Sequence, residues 1–381
     1  MKKKDLVGFI TSQVNLSFGG GHSITNHVVK GLLEKNDFYF IGEDRFWSKI
    51  FKDSNFQVFN NKCGWEPVVP KNILLLPFSY LKGLLFFLKF YKLLKKTDTF
   101  IFNASFTEAF FLAPFIKLFL KNKKIIYTIH GGAVPYVFKK TILGKILKFI
   151  WKDDLAIFVS KSQQKQWSTL NLIPKKFEII YNGISINSFS TKPYFETLET
   201  EINFGFIGRL QKEKGIYDLL SALEKIKSTR KIRISIAGEN NNIPEITEFL
   251  SKLKLPSNIS VKWLGTVKNS NKFFSSLDCL IFPTHFESFG LVQVEAWERG
   301  VPVICSNIDS LVEIKSFANA LEKKLLFKLK NPGDLANKID YFIENLGIYK
   351  DPSYKTNLHK FVKNNFSVEK MIANYEEVLL A

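Results

Sequence analysis

Residues 279–305 read CLIFPTHFESFGLVQVEAWERGVPVIC, and this stretch decides the fold. Short apolar runs at 279–283 and 301–305 flank a longer segment with helical periodicity. Two β-type runs joined by a helix indicate a βαβ unit with parallel strands. The loop and the helix between them carry Glu287 and Glu295, so polar side chains gather where the first strand ends.

The same alternation of short apolar runs and amphipathic stretches extends along the whole chain. In the first half it predicts strands at 6–11, 38–41, 99–103, 125–129, 155–160 and 178–181. In the second half it predicts strands at 202–207, 231–237, 259–264, 279–283, 301–305 and 325–329. Repeated βα units over 381 residues indicate an α/β protein with two parallel sheets.

A segment rich in turn formers separates the two predicted sheets. Residues 182–193 lack helical periodicity, which is typical of a linker. We predict a first domain at 1–185, a second domain at 186–365 and a last helix within 366–381. The sequence leaves the domain of that helix open, with packing back on the first domain as one option. Open α/β sheets bind ligands at the carboxyl ends of their strands, so two sheets joined by one linker predict a central cleft.

Composition narrows the classes of function. A formal net charge of +19 favours an anionic partner. Only five of the 54 basic residues are Arg, and the wealth of Lys, Phe, Ile and Asn is typical of an AT-rich genome, so charge alone selects no partner. Three widely spaced cysteines without a CxxC pair indicate a reducing compartment. The N-terminal segment lacks a signal-peptide cleavage site, and we expect a cytoplasmic protein.

Two segments of the first half combine lysines with large apolar side chains. Residues 73–94 are interrupted by Pro77, Lys82 and Lys89, which makes them a poor membrane span but a good basic amphipathic helix. Residues 137–151 repeat the pattern. Peripheral binding to the anionic inner face of the cytoplasmic membrane is one interpretation, and a solvated lysine face over an ordinary core helix is the other.

Several sequence motifs that define common enzyme classes are absent from the chain. The chain has no GxxxxGK[ST] loop, and Ile24 stands where a dinucleotide-binding fingerprint would place its third glycine. It has no DxD and no HExxH motif, so we expect neither a dedicated metal site nor a resident cofactor.

The remaining polar motifs fit a phosphorylated sugar. Gly20 and Gly21 follow the first strand, where bare backbone and a helix N-terminus can approach a phosphate, although a plain tight turn needs the same residues. Arg209 and Lys214 follow the first strand of the second half and suit a diphosphate, unless they are simply solvated. Glu287 and Glu295 can accept hydrogen bonds from sugar hydroxyls, or can stabilise the helix N-terminus instead.

These motifs, taken in order, resemble the retaining family-4 glycosyltransferases with the GT-B fold. The similarity runs through most of the chain: Gly19-Gly-Gly-His22, Thr128-Ile-His-Gly131, Val159-Ser160, Tyr181-Asn-Gly-Ile184, Gly208-Arg-Leu210 with Glu213-Lys-Gly215, Ala237-Gly-Glu239, Leu264-Gly265, Glu287-x7-Glu295 and Gly300-Val-Pro-Val303. The resemblance implies two Rossmann-like doubly wound domains that face a central cleft. Residues 308–313 and 318–324 depart from the family pattern near the donor pocket, which leaves the donor open.

The resemblance also implies a role for each matching residue. Arg209 and Lys214 would grip the donor diphosphate, Glu287 would contact the donor sugar and Glu295 the ribose. The remaining implied contacts are the backbone N–H groups of Ser288, Phe289, Gly290 and Leu291 near the donor, His130 near the anomeric carbon, and Gly20 and Gly21 at the diphosphate.

The implied reaction moves a hexose or N-acetylhexosamine from a UDP- or GDP-linked donor to a saccharide hydroxyl, with retention and without a metal. A lipid-linked acceptor in capsule or O-antigen synthesis would suit the lysine-rich helices. Two alternatives stay open: a GT-B-like nucleotide-sugar epimerase or hydrolase, and a basic nucleic-acid-binding protein. We do not expect a nucleic-acid partner, since the basic residues are scattered and no aromatic stacking motif accompanies them.

Overall fold

The computed structural model describes residues 5–11, 20–32, 36–42, 57–60, 74–103, 106–131, 141–189, 201–239 and 243–380. The chain divides into two compact units. The first unit contains Met1–Gly183 and Val368–Ala381, and the second unit contains Ile184–Ser367. These boundaries lie close to the predicted ones at 185 and 365. Glu201 and the residues after it begin the sheet of the second unit.

The first unit is built on a parallel sheet of seven strands in the order β3-β2-β1-β4-β5-β6-β7. Its strands are β1 (Leu6–Thr11), β2 (Asp37–Gly42), β3 (Gln57–Asn60), β4 (Thr99–Asn103), β5 (Lys124–Ile129), β6 (Leu155–Phe158) and β7 (Lys176–Ile179). All five residues of the central strand β4 are buried, as expected for a parallel strand covered on both faces. The sequence did not predict β3.

Helices of the first unit cover this sheet. They are α1 (Gly20–Leu32), α2 (Leu76–Lys96), α3 (Phe106–Phe119), α4 (Ile142–Trp151) and α5 (Lys161–Thr169). Helices α2 and α3 pack closely because Gly83 has no side chain, and a Cβ there would collide with the carbonyl of Phe111. Aromatic rings fill the core beside them, with the Trp151 and Trp167 ring centroids 5.2 Å apart.

The second unit contains a parallel sheet of six strands in the order β10-β9-β8-β11-β12-β13. Its strands are β8 (Glu201–Ile207), β9 (Lys231–Ala237), β10 (Ile259–Gly265), β11 (Cys279–Phe282), β12 (Val303–Ser306) and β13 (Leu326–Phe327). Its helices are α6 (Ile216–Leu223), α7 (Ile243–Ser251), α8 (Ser270–Ser275), α9 (Leu291–Glu298), α10 (Asp309–Phe317), α11 (Ala320–Lys323), α12 (Pro332–Glu344), α13 (Leu346–Lys350) and α14 (Pro352–Asn365).

Two predicted strands of the second unit are shorter in the structure. Strand β12 begins at Val303, not at Val301, because Pro302 has no amide hydrogen for the sheet. Strand β13 ends at Phe327, since the next amide, of Lys328, donates to the Asp334 carboxylate at 2.6 Å. The other predicted strands of this unit agree with the structure to within one residue at each end.

The last helix, α15 (Val368–Leu380), belongs to the first unit and packs on α1. Gly31 of α1 lies against Ile372, with no room for a Cβ. Lys124 Nζ donates to the carbonyl oxygens of Val378 at 2.6 Å and Leu379 at 3.2 Å, which satisfies the C-terminal end of the helix.

Strand order reverses once in each sheet. The reversal lies between β1 and β4 in the first unit and between β8 and β11 in the second. Ligands of open α/β sheets bind at such points, outside the carboxyl ends of the strands. The loops that follow β8 and β11, and those that follow β1, β4 and β5, are therefore the places to look for a site.

Candidate active site

The loops after β8 and β11 lie against each other at the carboxyl edge of the second sheet. The first loop tightens into a 3₁₀ turn, Lys212–Lys214, and ends at Gly215 with φ of 74°. A side chain at Gly215 would be strained by that φ and would also collide with the carbonyl of Pro283 in the second loop. Glycine at position 215 is therefore what lets the two loops meet.

This contact brings two of the predicted donor residues together. Lys214 Nζ forms an ion pair with Glu287 Oε1, and about a fifth to a quarter of each side chain is exposed. The Thr284 hydroxyl donates to the Phe286 carbonyl at 3.0 Å and lies 3.4 Å from Glu287 Oε1. Arg209 lies earlier in the first loop and is exposed. A cation and a carboxylate are thus held side by side at the edge where a ligand is expected.

A second pair of side chains joins the same two loops. His285 Nε2 lies 2.7 Å from Asp218 Oδ2 in the first turn of α6. The His285 amide donates to the Glu213 carbonyl at 2.8 Å. The Ser310 hydroxyl holds the other side of the loop by donating to the Glu287 carbonyl at 2.8 Å. Sequence analysis did not select His285 or Asp218, although His285 lies two positions before Glu287.

Helix α9 begins directly behind Glu287. Its N-cap is Gly290, and the φ of 95° at this residue is one that residues with a side chain rarely adopt. A Cβ at this position would also collide with the Leu311 side chain. Ser288, Phe289 and Gly290 precede the helix and Leu291 opens it. The sequence predicted the helix N-terminus at these four residues, and the free N–H groups of its first turn suit an anion or a hydroxyl.

Glu295 lies in α9, one turn after its start. Burial raises its pKa to about 7, and the Glu298 carboxylate adds to the rise. Glu298 is itself buried and is paired with the linker, since its Oε1 accepts from the Asn187 amide at 2.9 Å. Arg299 Nε lies 2.7 Å from its Oε2. Glu295 is therefore a carboxyl group close to its titration point at neutral pH.

In the first unit, the carboxyl ends of β4 and β5 meet α1 in a polar cluster around Asn103. The Asn103 side chain is 7% exposed. Its Oδ1 accepts from the Thr128 hydroxyl at 2.6 Å and lies 3.0 Å from His130 Nε2, and its Nδ2 donates to Thr25 Oγ1 at 2.6 Å. An amide oxygen only accepts, so this contact places the His130 proton on Nε2. The sequence could have indicated Asn103, because it is a polar residue at the carboxyl end of an otherwise apolar strand.

Gly20 and Gly21 form the first turn of α1, so they belong to the helix N-terminus itself and not to the chain before it. Their amides belong to the N-terminal turn, which leaves them without partners inside the helix. Gly19 and the His22 side chain lie outside the described residues. So do residues 137–140 of the second basic segment, whose described part forms α4.

The described residues contain neither a metal-binding cluster nor a helix that could span a membrane. No group of three or more His, Cys, Asp or Glu side chains is arranged to hold a metal ion there. Cys279 and Cys305 are buried free thiols, and burial raises the pKa of Cys305 to about 12. None of the described helices has the length and apolar character that crossing a membrane requires.

Comparison with known proteins identifies the family and the fold. The family described as "Glycosyl transferases group 1" matches residues 191–359, and "Glycosyltransferase Family 4" matches residues 45–188. The structure superposes on Anabaena Alr3699/HepE in complex with UDP and glucose with a TM-score of 0.73 and 18% identity, covering 98% of this chain and 99% of that one. The predicted GT-B fold is confirmed.

Two curated bacterial relatives are also named as glycosyltransferases. The capsular polysaccharide biosynthesis glycosyltransferase CapM of Staphylococcus aureus is 27% identical over 79% of this chain and 80% of its own length. The O-antigen biosynthesis glycosyltransferase WclY of Escherichia coli is 28% identical over 67% of this chain and 71% of its own length. The protein is a glycosyltransferase. It belongs to the family-4-like glycosyltransferases with the GT-B fold.

Proposed function

We propose that this glycosyltransferase moves a hexose or N-acetylhexosamine from a nucleoside diphosphate sugar to a saccharide hydroxyl with retention of configuration. The pairing of Lys214 with Glu287 at the carboxyl edge of β8 and β11 is the observation that carries the proposal. UDP is the first choice of nucleotide, because HepE binds UDP and glucose, and GDP is the second. The names of CapM and WclY support a capsule or O-antigen acceptor.

The chemistry follows from the charges in the second unit. Lys214 and Arg209 bind the diphosphate and offset the negative charge that grows on its oxygen as the bond to the anomeric carbon breaks. The acceptor oxygen forms the new bond on the same face, and its proton passes to the departing phosphate oxygen. Two cationic side chains thus take the part that a metal ion would otherwise play, and we propose a metal-independent enzyme.

The carboxylates and backbone amides orient the donor. Glu287 accepts hydrogen bonds from hydroxyls of the transferred sugar, and Glu295 accepts them from the ribose. The N–H groups of residues 288–291 lie beside the same sugar. In the first unit, which we propose binds the acceptor, His130 contacts the reacting sugar and the amides of Gly20 and Gly21 approach the diphosphate.

The first unit also carries an exposed apolar surface that supports a lipid-linked acceptor. We call it the α2–α4 surface; its exposed apolar side chains are Leu74, Leu75, Phe78, Leu81, Leu85, Leu88 and Tyr91 on and before α2, Leu118 and Phe119 in α3, and Ile142 and Phe149 in α4. Phe149 is 83% exposed and Leu85 is 58% exposed. Exposed apolar patches of this kind mark interaction sites.

Lysines lie beside aromatic side chains of α2. Lys82 Nζ lies 4.7 Å from the centre of the Phe78 ring, and Lys89 Nζ lies 5.4 Å from that of Phe90. Apolar side chains that enter the acyl boundary and lysines that meet anionic headgroups are the combination that interfacial helices use. We propose that the enzyme attaches peripherally to the inner face of the cytoplasmic membrane, where a lipid-linked acceptor would lie.

A donor-binding experiment with a matched control tests the function. Wild-type protein is titrated with UDP, GDP and their common sugar derivatives while the melting temperature is followed. Lys214→Ala should lose the stabilisation by the nucleotide and all turnover. Lys212→Ala, in the same 3₁₀ turn but exposed, should keep both. Absence of any shift with wild-type protein, or full turnover by Lys214→Ala, would contradict the proposal.

The same preparation separates transfer from the rival reactions. An epimerase or hydrolase consumes the donor without an acceptor, whereas a transferase needs one. We expect slow donor loss alone and fast loss when a membrane lipid extract supplies the acceptor. Complete conversion of the donor in the absence of an acceptor would favour the epimerase or hydrolase.

A further inference from the structure

We infer that His285 and Asp218 are positioning residues that hold Lys214 and Glu287 at the spacing the donor requires. This inference rests on the proposed function of that site. His285 and Asp218 do not contact the donor themselves; they act by supporting the residues that do.

The His285–Asp218 pair is well placed to connect the two loops. The distance from Nε2 to Oδ2 is 2.7 Å, and the side chains are 14% and 19% exposed. His285 lies two residues before Glu287, and Asp218 lies four residues after Lys214, in the first turn of the helix that follows Gly215. The link therefore joins the segments that carry the two donor residues, across 67 positions of sequence.

The pair adds to backbone contacts that already align the loops. The His285 amide donates to the Glu213 carbonyl at 2.8 Å, next to Lys214. Gly215 lies against the Pro283 carbonyl. These contacts set the approach of the two backbones, while the side-chain link opposes sliding of α6 along the second loop. Catalytic groups need this kind of support, because an error of about 1 Å in placement costs as much as a hundredfold in rate.

The role assigned here differs from stabilisation of the core. The buried residues of α6 are Ile216, Leu219, Leu220, Ala222 and Leu223. The helix packs on α12, so its place in the core does not depend on Asp218. Asp218 also lies in the first turn of its helix, where a carboxylate is favourable without a histidine partner. Removing His285 should therefore change the loop geometry more than the fold.

The experiment measures UDP and GDP affinity by calorimetry for wild-type protein, His285→Ala, Asp218→Ala and the double variant. Each single change should raise the Kd of the preferred nucleotide about tenfold. This is the change expected from the loss of one hydrogen bond to a charged group. The double variant should be no weaker than either single variant, because both remove the same link. Asp218→Asn should recover most of the affinity, since the amide oxygen still accepts from Nε2–H.

A combination with Lys214→Ala separates positioning from general damage. In that background His285→Ala should have no further effect on the residual affinity for UDP or GDP. The Lys214 charge that binds the diphosphate is gone, and these nucleotides carry no sugar for Glu287 to contact. Equal losses of affinity in both backgrounds would overturn the inference.

Asp340→Ala is the matched structural control. Its carboxylate accepts from the amides of Lys227 and Ser228, each at 3.0 Å, in the loop before β9 at the opposite edge of the same sheet. This change should lower the melting temperature and leave nucleotide affinity unchanged. If His285→Ala binds as tightly as wild type, the inference is wrong and the proposed function stands. If wild-type protein binds neither UDP nor GDP, both are wrong.

Discussion

Lys315 and Glu322 form an ion pair in which neither side chain is exposed. Lys315 Nζ lies 2.5 Å from Glu322 Oε2 and also donates to the Val303 carbonyl at 2.7 Å. Glu322 accepts further hydrogen bonds from Trp297 Nε1 at 2.9 Å and from the Tyr354 hydroxyl. The pair thus connects α9, α10, α11, α14 and β12 of the second unit, and both charges are fully satisfied.

Removing one member of this pair should be costly. We expect Lys315→Met to lower the free energy of unfolding by about 3 to 5 kcal/mol, because it leaves the Glu322 carboxylate buried without its cation. The double variant Lys315→Met, Glu322→Gln removes both charges and should recover a large part of that loss. Urea denaturation followed by fluorescence measures the changes. A double variant less stable than Lys315→Met would show that the charge pair is not the cause.

This network also explains a departure from the family pattern. Residues 318–324 replace a glycine-rich stretch of the family with ANALEKK, and here they form the short helix α11. Asn319 caps it by accepting from the Glu322 amide at 3.0 Å. The helix presents Glu322 to Lys315, so the segment contributes a structural carboxylate.

Glu287 should be essential for turnover but dispensable for the fold. Its ion pair with Lys214 is partly exposed, and such pairs contribute about 0 to 1 kcal/mol to stability. Glu287→Gln should therefore melt within a few degrees of wild type while donor-dependent sugar transfer is lost. Glu213→Gln, an exposed carboxylate change in the facing loop, is the control and should keep its activity. Transfer at a near wild-type rate by Glu287→Gln would contradict the assigned role.

Donor affinity should depend on pH through Glu295. Burial raises the pKa of Glu295 from 4.5 to about 7. The folded state therefore favours the protonated carboxyl group: this contribution to stability is fully present below about pH 4.5 and is lost as the pH rises through 7. Ribose hydroxyls donate to the ionised form. Affinity for UDP-glucose, whose diphosphate does not titrate in this range, should thus rise between pH 6 and pH 8.

Glu295→Gln isolates this effect. The variant should bind UDP-glucose with an affinity that changes little over the same pH range, because its amide does not titrate. Calorimetry at three pH values is sufficient. A pH dependence that persists unchanged in Glu295→Gln would assign the titration to another group.

Most strands could be predicted because parallel strands buried on both faces are continuous apolar runs, as TFIFN in β4 shows. Strand β3 escaped prediction because its four residues, QVFN, begin and end with polar side chains and so form no continuous apolar run. The strand predicted at 155–160 ends at Phe158, because Ser160 caps α5 by accepting from the Gln163 amide at 3.0 Å. A pattern of apolar residues does not show which side chain caps a helix, so the end of this strand was not predictable from it.

The candidate site was predictable in part for a similar reason. Lys214 and Glu287 follow neighbouring parallel strands, and the carboxyl ends of such strands meet at one edge. The pairs His285–Asp218 and Asn103–His130 were not predictable, since each depends on the rotamers of two side chains that are far apart in sequence. Topology brings loops together, but packing decides which side chains touch.

The α2–α4 surface should bind acidic vesicles. At low salt we expect wild-type protein to float with vesicles rich in phosphatidylglycerol and not with phosphatidylcholine alone, because the lysines of α2 meet anionic headgroups. Leu85→Gln with Leu88→Gln should weaken binding, since both side chains are 58% exposed and available to the acyl boundary. Ile348→Gln, an exposed apolar residue of the second unit, is the control.

Flotation separates the membrane proposal from the catalytic one. Wild-type protein that stays at the bottom of the gradient with acidic vesicles at low salt would contradict membrane attachment. The donor-binding proposal would be unaffected, because Lys214 and Glu287 belong to the second unit.

Asn103 should control the tautomer of His130. Its Oδ1 accepts from Nε2–H at 3.0 Å and is itself held by the hydroxyl of Thr128. Asn103→Leu removes this acceptor, so the imidazole should populate both tautomers, and sugar transfer should fall by up to about a hundredfold through misplacement of the ring. Asn103→Asp keeps an acceptor and should keep the Nε2–H form. Nitrogen-15 NMR of the histidine ring distinguishes the two forms directly.

Loss of a buried hydrogen bond elsewhere in the first unit provides the comparison. Thr97→Val removes the 2.8 Å contact between Thr97 Oγ1 and the Tyr39 hydroxyl at the amino edge of the same sheet, and also the 3.0 Å hydrogen bond that the Thr97 hydroxyl donates to the Leu93 carbonyl. It should cost about 1 kcal/mol of stability and leave both the His130 tautomer and the rate of transfer unchanged. If Asn103→Leu and Thr97→Val reduce transfer equally, the cause is loss of stability. If Asn103→Leu alone reduces transfer and changes the NMR pattern, the orientation of His130 is what the reaction requires.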